Sequence, residues 1–334
     1  FRRLLFRSDA TGAVDNLRFE AESTGKGTLF HPEVWEAPLP LDKLTAKGWL
    51  KNAFSQLKLA SLHIESGGTS FDATGTVDNL GRFDSLSLDL KVDHLNPAQA
   101  HRYWPIRVVP GTRSWIRDHF LDGEIHDAAA RIRINPSDLE AAVLPREILH
   151  VKAPFRGVDM KYHDRLQPIE DARGTAVFTA HDITIDVAAA RSYGTQAAGG
   201  RVVIGNFTAP PAGIDIQTTA KGPADDLRKV IESLAGKPDW IRIGAGTAET
   251  RLAFRWPLAH FSAETFDYHA AARIQGLEVP EFHGYRWTQK SLLASLDRNA
   301  IAVSGTDGAA APVSDPKKVI PIQKVEAKGE LAYA

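Results

Sequence analysis

In segment after segment of this chain, apolar and polar residues alternate with a period of two, the pattern of a β-strand with one dry face and one wet face. The clearest run is Leu86, Leu88, Leu90 and Val92, with Ser87, Asp89 and Lys91 between them. The same parity holds at Phe71, Ala73, Gly75 and Val77, at Ala130, Ile132 and Ile134, at Ile183, Ile185 and Val187, and at Ile214 and Ile216. It returns at Leu252, Phe254 and Trp256, at Tyr268, Ala270, Ala272 and Ile274, and at Ile301 and Val303. Parallel strands are covered on both faces and read as unbroken apolar runs, so clean alternation predicts antiparallel sheet. Turn signals at Ser66-Gly67-Gly68, Asp78-Asn79-Leu80-Gly81 and Ala198-Gly199-Gly200 fall at hairpin spacing and predict a meander.

Two internal repeats support one reused strand block. Asp9-Ala10-Thr11-Gly12-Ala13-Val14-Asp15-Asn16-Leu17 recurs at Asp72 to Leu80 with only Ala13 changed, to Thr76. The segment Leu39 to Leu50, with Leu39-Pro40-Leu41 and Ala46-Lys47-Gly48, is answered by Ile320 to Leu331, with Ile320-Pro321-Ile322 and Ala327-Lys328-Gly329. Helices are few. Short ones are expected at Pro97 to Arg102, from a Thr112 cap through Trp115, Ile116 and Phe120 to about Gly123, near Pro136 to Val143, and after Pro223. The last carries Asp225 and Asp226 in its positively polarised first turn and Leu227, Val230, Ile231 and Leu234 at helical spacing. The stretch Gly305 to Pro316, rich in small residues, reads as a loop.

So many one-faced strands must bury their apolar side against something. A closed sandwich, a solenoid with a filled core, and an open trough filled by an apolar ligand all satisfy the alternation. Composition narrows function more than fold. Forty Lys and Arg against forty-one Asp and Glu leave a net charge of −1, which gives no field to gather nucleic acid. The absence of cysteine removes disulfides, thiolate metal sites and a cysteine nucleophile. The twelve histidines show no metal-ligand spacing, His119 and His126 coming nearest, and no nucleophile elbow, phosphate loop or dinucleotide fingerprint is present. A non-enzymatic protein without a cofactor is expected. Trp104, Trp115 and Trp256 read as packing residues. No run approaches a membrane-spanning helix, and with Phe1 first and Met160 the only methionine, the sequence is expected to be part of a longer polypeptide.

The run Tyr103-Trp104-Pro105, then Pro110, Arg113, Trp115 and Ile116, then Gly123, Ile125 and Ala128 opening a strand, resembles the centre of the AsmA-like proteins of Gram-negative envelopes, the large YhdP type most closely. Gly222-Pro223, and Ala245-Gly246-Thr247-Ala248 leading into Leu252-Ala253-Phe254-Arg255-Trp256-Pro257-Leu258, resemble the same family's next segment, so the likeness covers about residues 85 to 305. The resemblance implies a mainly β, elongated and twisted antiparallel β-groove, an open trough with a few short helices. It implies bridge-like phospholipid transport between inner and outer membrane, a periplasmic location, and inner-membrane anchoring through a segment outside this sequence. The segments then expected are a first groove repeat at 1–95, a helical insert at 96–127, a second repeat at 128–222, a helix and connector at 223–246 and a third repeat at 247–334. The lipid-lining residues would be Phe71, Val77, Leu86, Leu88, Leu90, Val92, Ile132, Ile134, Ile183, Ile185, Val187, Ile214, Ile216, Leu252, Phe254, Ile274, Ile301 and Val303. The competing expectation is a closed, dry envelope scaffold acting through protein partners.

Overall fold

The computed structural model describes residues 3–8, 14–23, 25–80, 84–106, 110–162, 164, 166–205, 212–235, 242–258 and 265–330. The fold is mainly β, an antiparallel sheet that is open rather than closed, with a few short helices. Two compact units divide the chain, one of Phe1–Val158, Thr175–Thr184 and Asn206–Pro210, the other of Asp159–Gly174, Ile185–Gly205 and Pro211–Ala334.

The first unit opens with β1 (Arg3–Ser8) and β2 (Val14–Ser23), followed by a small ribbon of β3 (Gly27–Leu29) and β4 (Leu39–Leu41). Then come β5 (Lys43–Lys51), β6 (Gln56–Ser66), β7 (Thr69–Asp78) and β8 (Ser85–Leu95), the helices α1 (Ala100–Tyr103) and α2 (Pro110–His119), and β9 (Phe120–Ile134). Apart from β3 and β4, each of these strands pairs antiparallel with the next. Residues directly opposite in an antiparallel pair share a face, so the registers stack the dry positions into rows. One row reads Leu17, Leu50, Leu57, Val77, Leu86, Ile134, and the next Phe19, Gly48, Leu59, Gly75, Leu88, Ile132. A third is Ala21, Ala46, Leu62, Ala73, Leu90, Ala130, and a fourth Leu44, Ile64, Phe71, Val92, Ala128. The Gly67-Gly68 turn between β6 and β7 takes φ of 57° and 86°, which favours glycine, and the Gly67 N–H donates to Asp42 Oδ2 at 2.8 Å.

After β9 come α3 (Pro136–Glu140), β10 (Leu149–Met160), β11 (Ile169–Thr179) and β12 (Asp182–Ser192). In the second unit β13 (Thr195–Gly205), β14 (Gly213–Pro223), β15 (Ala245–Pro257), β16 (Asp267–Phe282), β17 (Tyr285–Asp297), β18 (Ala300–Pro312) and β19 (Ile320–Glu330) again pair in sequence order. The helix α4 (Ala224–Ala235) sits between β14 and β15. Here too the dry positions align: Val202, Ile216, Phe254, Tyr268 in one row, and Thr218, Leu252, Ala270, Leu296, Ile301, Gly329 in another.

The longer repeat is structural. Phe19, Ala21 and Ser23 of β2 face Gly48, Ala46 and Leu44 of β5, as Ile301, Val303 and Gly305 of β18 face Gly329, Ala327 and Val325 of β19. In both copies the glycine makes room for the side chain across from it: a Cβ on Gly48 would lie 2.7 Å from the Phe19 ring, and one on Gly329 3.2 Å from Ile301 Cγ2. The shorter repeat is not equivalent. Val77-Asp78 ends β7, whereas the matching Val14-Asp15 begins β2, and residues 9–13 lie outside the described residues. Identical local sequence is thus overridden by pairing partners, as β preference commonly is.

Four other expectations are corrected. The helix α2 begins at Pro110, so Thr112 lies inside it, and it gives way at Phe120 to a strand that contains Gly123. Ala198-Gly199-Gly200 is not a turn but a bulge within β13, where the register with β14 shifts between Ala197 and Gly200. Residues 305–312 of the expected loop are strand, since their small side chains let β18 lie flat between β17 and β19, and only the turn after Pro312 is irregular. Trp115 is 44% exposed, stacked on His119 at 4.8 Å rather than packed in a core.

Because Gly48 is closed in by both Phe19 and Lys58 O, Gly48→Val should cost about 1–3 kcal/mol through overpacking. Lys47→Val, exposed on the opposite face, should change stability by less than about 0.5 kcal/mol. Thermal melts of the two variants check this pair.

Candidate functional site

The apolar rows are the feature to explain, because among the described residues most of their positions are half-buried rather than enclosed. Of the eighteen residues expected to line a trough, sixteen are half-buried, Ile274 is 7% exposed and Ile301 is 41% exposed. A sandwich or filled solenoid would have placed them in a dense interior. Among the described residues no large side chain is fully buried, and the buried apolar positions are mostly alanines such as Ala46, Ala73, Ala128, Ala153 and Ala172. In the first unit the registers bring together Phe71 and Val92, Val77, Leu86 and Ile134, and Leu88 with Ile132, while Leu90 lies between Ala73 and Ala130. In the second unit they align Ile216 with Phe254, Ile214 with Trp256, Leu252 with the Ile301 row, and Val303 with Ala294. Ile183, Ile185 and Val187 alternate along β12.

Among the described residues a helical element is laid on this face in each unit. In the first, the Tyr103 ring lies 5.1 Å from Phe71, and its hydroxyl donates to Ser66 O at 2.8 Å. The insert is pinned by Arg113, 8% exposed, whose Nε donates to His101 O at 3.1 Å and whose guanidinium meets Glu36 Oε2 at 2.6 Å. That hydrogen bond and charge hold the Glu36 carboxyl below its ordinary range. In the second unit Ala224 and Leu227 of α4 pack on Ala248, Ile274, Leu277 and Leu292, which is why Ile274 is covered and not a lining residue of an open stretch. Asp226, 3% exposed, fastens this helix: it accepts from the Gly194 N–H at 2.9 Å, the Thr195 hydroxyl at 2.8 Å and Lys229 Nζ at 3.0 Å. Asp226 reads in the sequence as a dipole residue. Two of its partners, Gly194 and Thr195, lie 32 and 31 residues away at the start of a bulged strand, beyond any local signal.

The opposite face is laddered with charge. Asp89 accepts from Arg133, Asp215 from Arg255, and Glu278 from Arg286, all across neighbouring strands. Glu124 lies 2.7 Å from both Arg156 Nε and His94 Nδ1. These exposed pairs add little stability, but they keep that face in water and set strand register. No helix among the described residues is long and apolar enough to cross a membrane.

An antiparallel sheet with an unsealed apolar face is a structural class, and the sequence comparison supplies the family. The model of the YhdP protein family matches residues 6–234, more than half of the chain, which therefore belongs to that family. The membership points to a lipid-transport-related role in the cell envelope. No curated protein and no solved structure gives a significant match.

The wet-face ladder gives a pH test. Arg156, then His94, lower the Glu124 pKa from 4.5 to about 2, so whatever this group adds to stability is fully present above its unfolded value and is lost as pH falls through about 2. Carboxylate chemical shifts should show Glu124 titrating near 2, and Arg156→Gln should move that midpoint upward.

Proposed function

We propose that this chain carries phospholipid in bridge-like fashion between inner and outer membrane, the acyl tails on the apolar rows and the headgroups in water. The half-buried apolar face supports this reading: aliphatic positions aligned across successive strands, half-exposed among the described residues. One acyl chain of about fifteen methylenes gains on the order of 12 kcal/mol by leaving water. Free passage through the aqueous space is therefore steeply opposed, and rows that repeat similar contacts from strand to strand lower that barrier without holding the lipid at any one place. In this reading the protein works in the periplasm, is held to the inner membrane by a segment outside this sequence, does no chemistry and needs no cofactor.

Leu88 tests it, lying mid-row between Gly75 and Ile132. Leu88→Asp places a charge that costs several kcal/mol beside an acyl tail but can be wetted in an open trough. The variant should melt within a few degrees of the parent while losing the phospholipid that mass spectrometry detects through purification. A collapsed melting curve would instead mark Leu88 as core of a sealed scaffold, and the transport reading would fall.

A further inference from the structure

The apolar face of the second unit is graded along its strands. Near the ends of β15 and β16 that follow Ala253 and precede Ala270, Phe254, Trp256, Phe266 and Tyr268 form one aromatic cluster, with Phe266 5.8 Å from Trp256 and 5.5 Å from Tyr268 between ring centres. Further along comes the aliphatic row of Leu252, Leu296 and Ile301, joined through Ala270. Beyond it the side chains shrink to Ala220, Thr250, Ala272 and Ala294. There the open stretch stops, because α4 lies on Ala248 and Ile274, held by the Asp226 bonds to Gly194 and Thr195.

From Trp256 to Thr250 is six residues of strand, ~20 Å, and the hydrocarbon half of a bilayer is about 15 Å deep. The order of side chains is also that of a leaflet: Trp and Tyr at the level of the headgroups, aliphatic groups beneath, and an end wall where the tails finish. We infer that the second unit is a chain-length gauge, in which acyl tails lie along the strands with the headgroup at the Trp256–Tyr268 rim and the tail end against α4. The ligand class is a glycerophospholipid with tails of about 16 carbons. This rests on the transport reading and adds to it an orientation, a specificity and the residues that set it. Asp226 and Leu227 act as positioning residues, since they hold the end wall and need not touch lipid.

Two variants of the full chain move the gauge in opposite directions. Leu252→Trp raises a wall one row nearer the rim, at an open, half-buried position. Asp226→Ala releases the end of α4. Both are purified from cells, melted, and their bound lipids analysed by mass spectrometry for tail length. Leu252→Trp should shift the bound tails shorter by roughly five or six carbons, about the reach of one two-residue row step of ~7 Å. Asp226→Ala should broaden the distribution toward longer tails. If Asp226→Ala does not fold, Leu252→Trp alone decides. Lipid bound by folded Leu252→Trp with the parent's tail-length distribution overturns the gauge and leaves the transport reading intact. Parent protein that carries no lipid overturns both.

Discussion

Cross-strand register is the constraint on which everything else depends. Alternation within one strand only decides that one side is oily. Leu86 meets Val77 on one side and Ile134 on the other because β7, β8 and β9 pair without a slip through that region, and a one-residue slip would turn every dry residue toward water. The wet-face pairs enforce the same answer from the other side. Arg133 reaches Asp89 and Arg255 reaches Asp215 only in the observed registers. Charge on one face and aliphatic rows on the other therefore select a single alignment together, although each ion pair alone contributes little.

A sheet with no filled core has to be stabilised another way. Nearly every strand contacts the strand next to it in sequence, so closure entropy per contact is small and backbone hydrogen bonds are satisfied locally. In the second unit a tightly packed cluster forms where α4 lies on the sheet. There the closest approach is between small residues, Ala224 on Ala248, flanked by Ile274, Leu277 and Leu292. Small residues let backbones approach and leave little void, so helices fasten to the sheet without thickening it.

Most of the fold was legible for the same reason that the face is open. An apolar group that waits for a ligand obeys the alternation rule as strictly as one that waits for a core, and Leu86 to Val92 declares its face without ambiguity. The choice among sandwich, solenoid and trough was not legible from alternation, because it depends on whether anything covers the face. Bulges were the second loss. Gly276, at φ 61°, lets Leu277 join Ile274 beneath α4 although the two are three residues apart, which strict parity assigns to opposite faces. Asp307, at φ 57°, breaks the pattern of β18 in the same way, and with few large side chains left there the strand reads as loop. Arg113 could be singled out by its motif, but its burial against Glu36 and His101 O joins segments 77 and 12 residues apart.

The rows also differ in a way that bears on movement. A surface along which a tail slides must be even, since a deep site at any strand would hold the tail there. The row through Leu88 alternates large and glycine positions, Phe19, Gly48, Leu59, Gly75, Leu88, so bulk and hollow succeed each other at intervals of about 5 Å, one strand spacing. A tail lying along the strands touches this row and its neighbours at once, so bulk in one row is averaged with hollow in the next. The row through Leu86 has no hollow at all, Leu17, Leu50, Leu57, Val77, Leu86, Ile134, and offers near-uniform aliphatic contact across six strands. Side-by-side rows of smooth and corrugated character favour a tail that lies across both, with its position along the sheet weakly determined and its height above the sheet strongly determined. That combination, loose along one axis and fixed along the other, is what separates a conduit from a binding pocket.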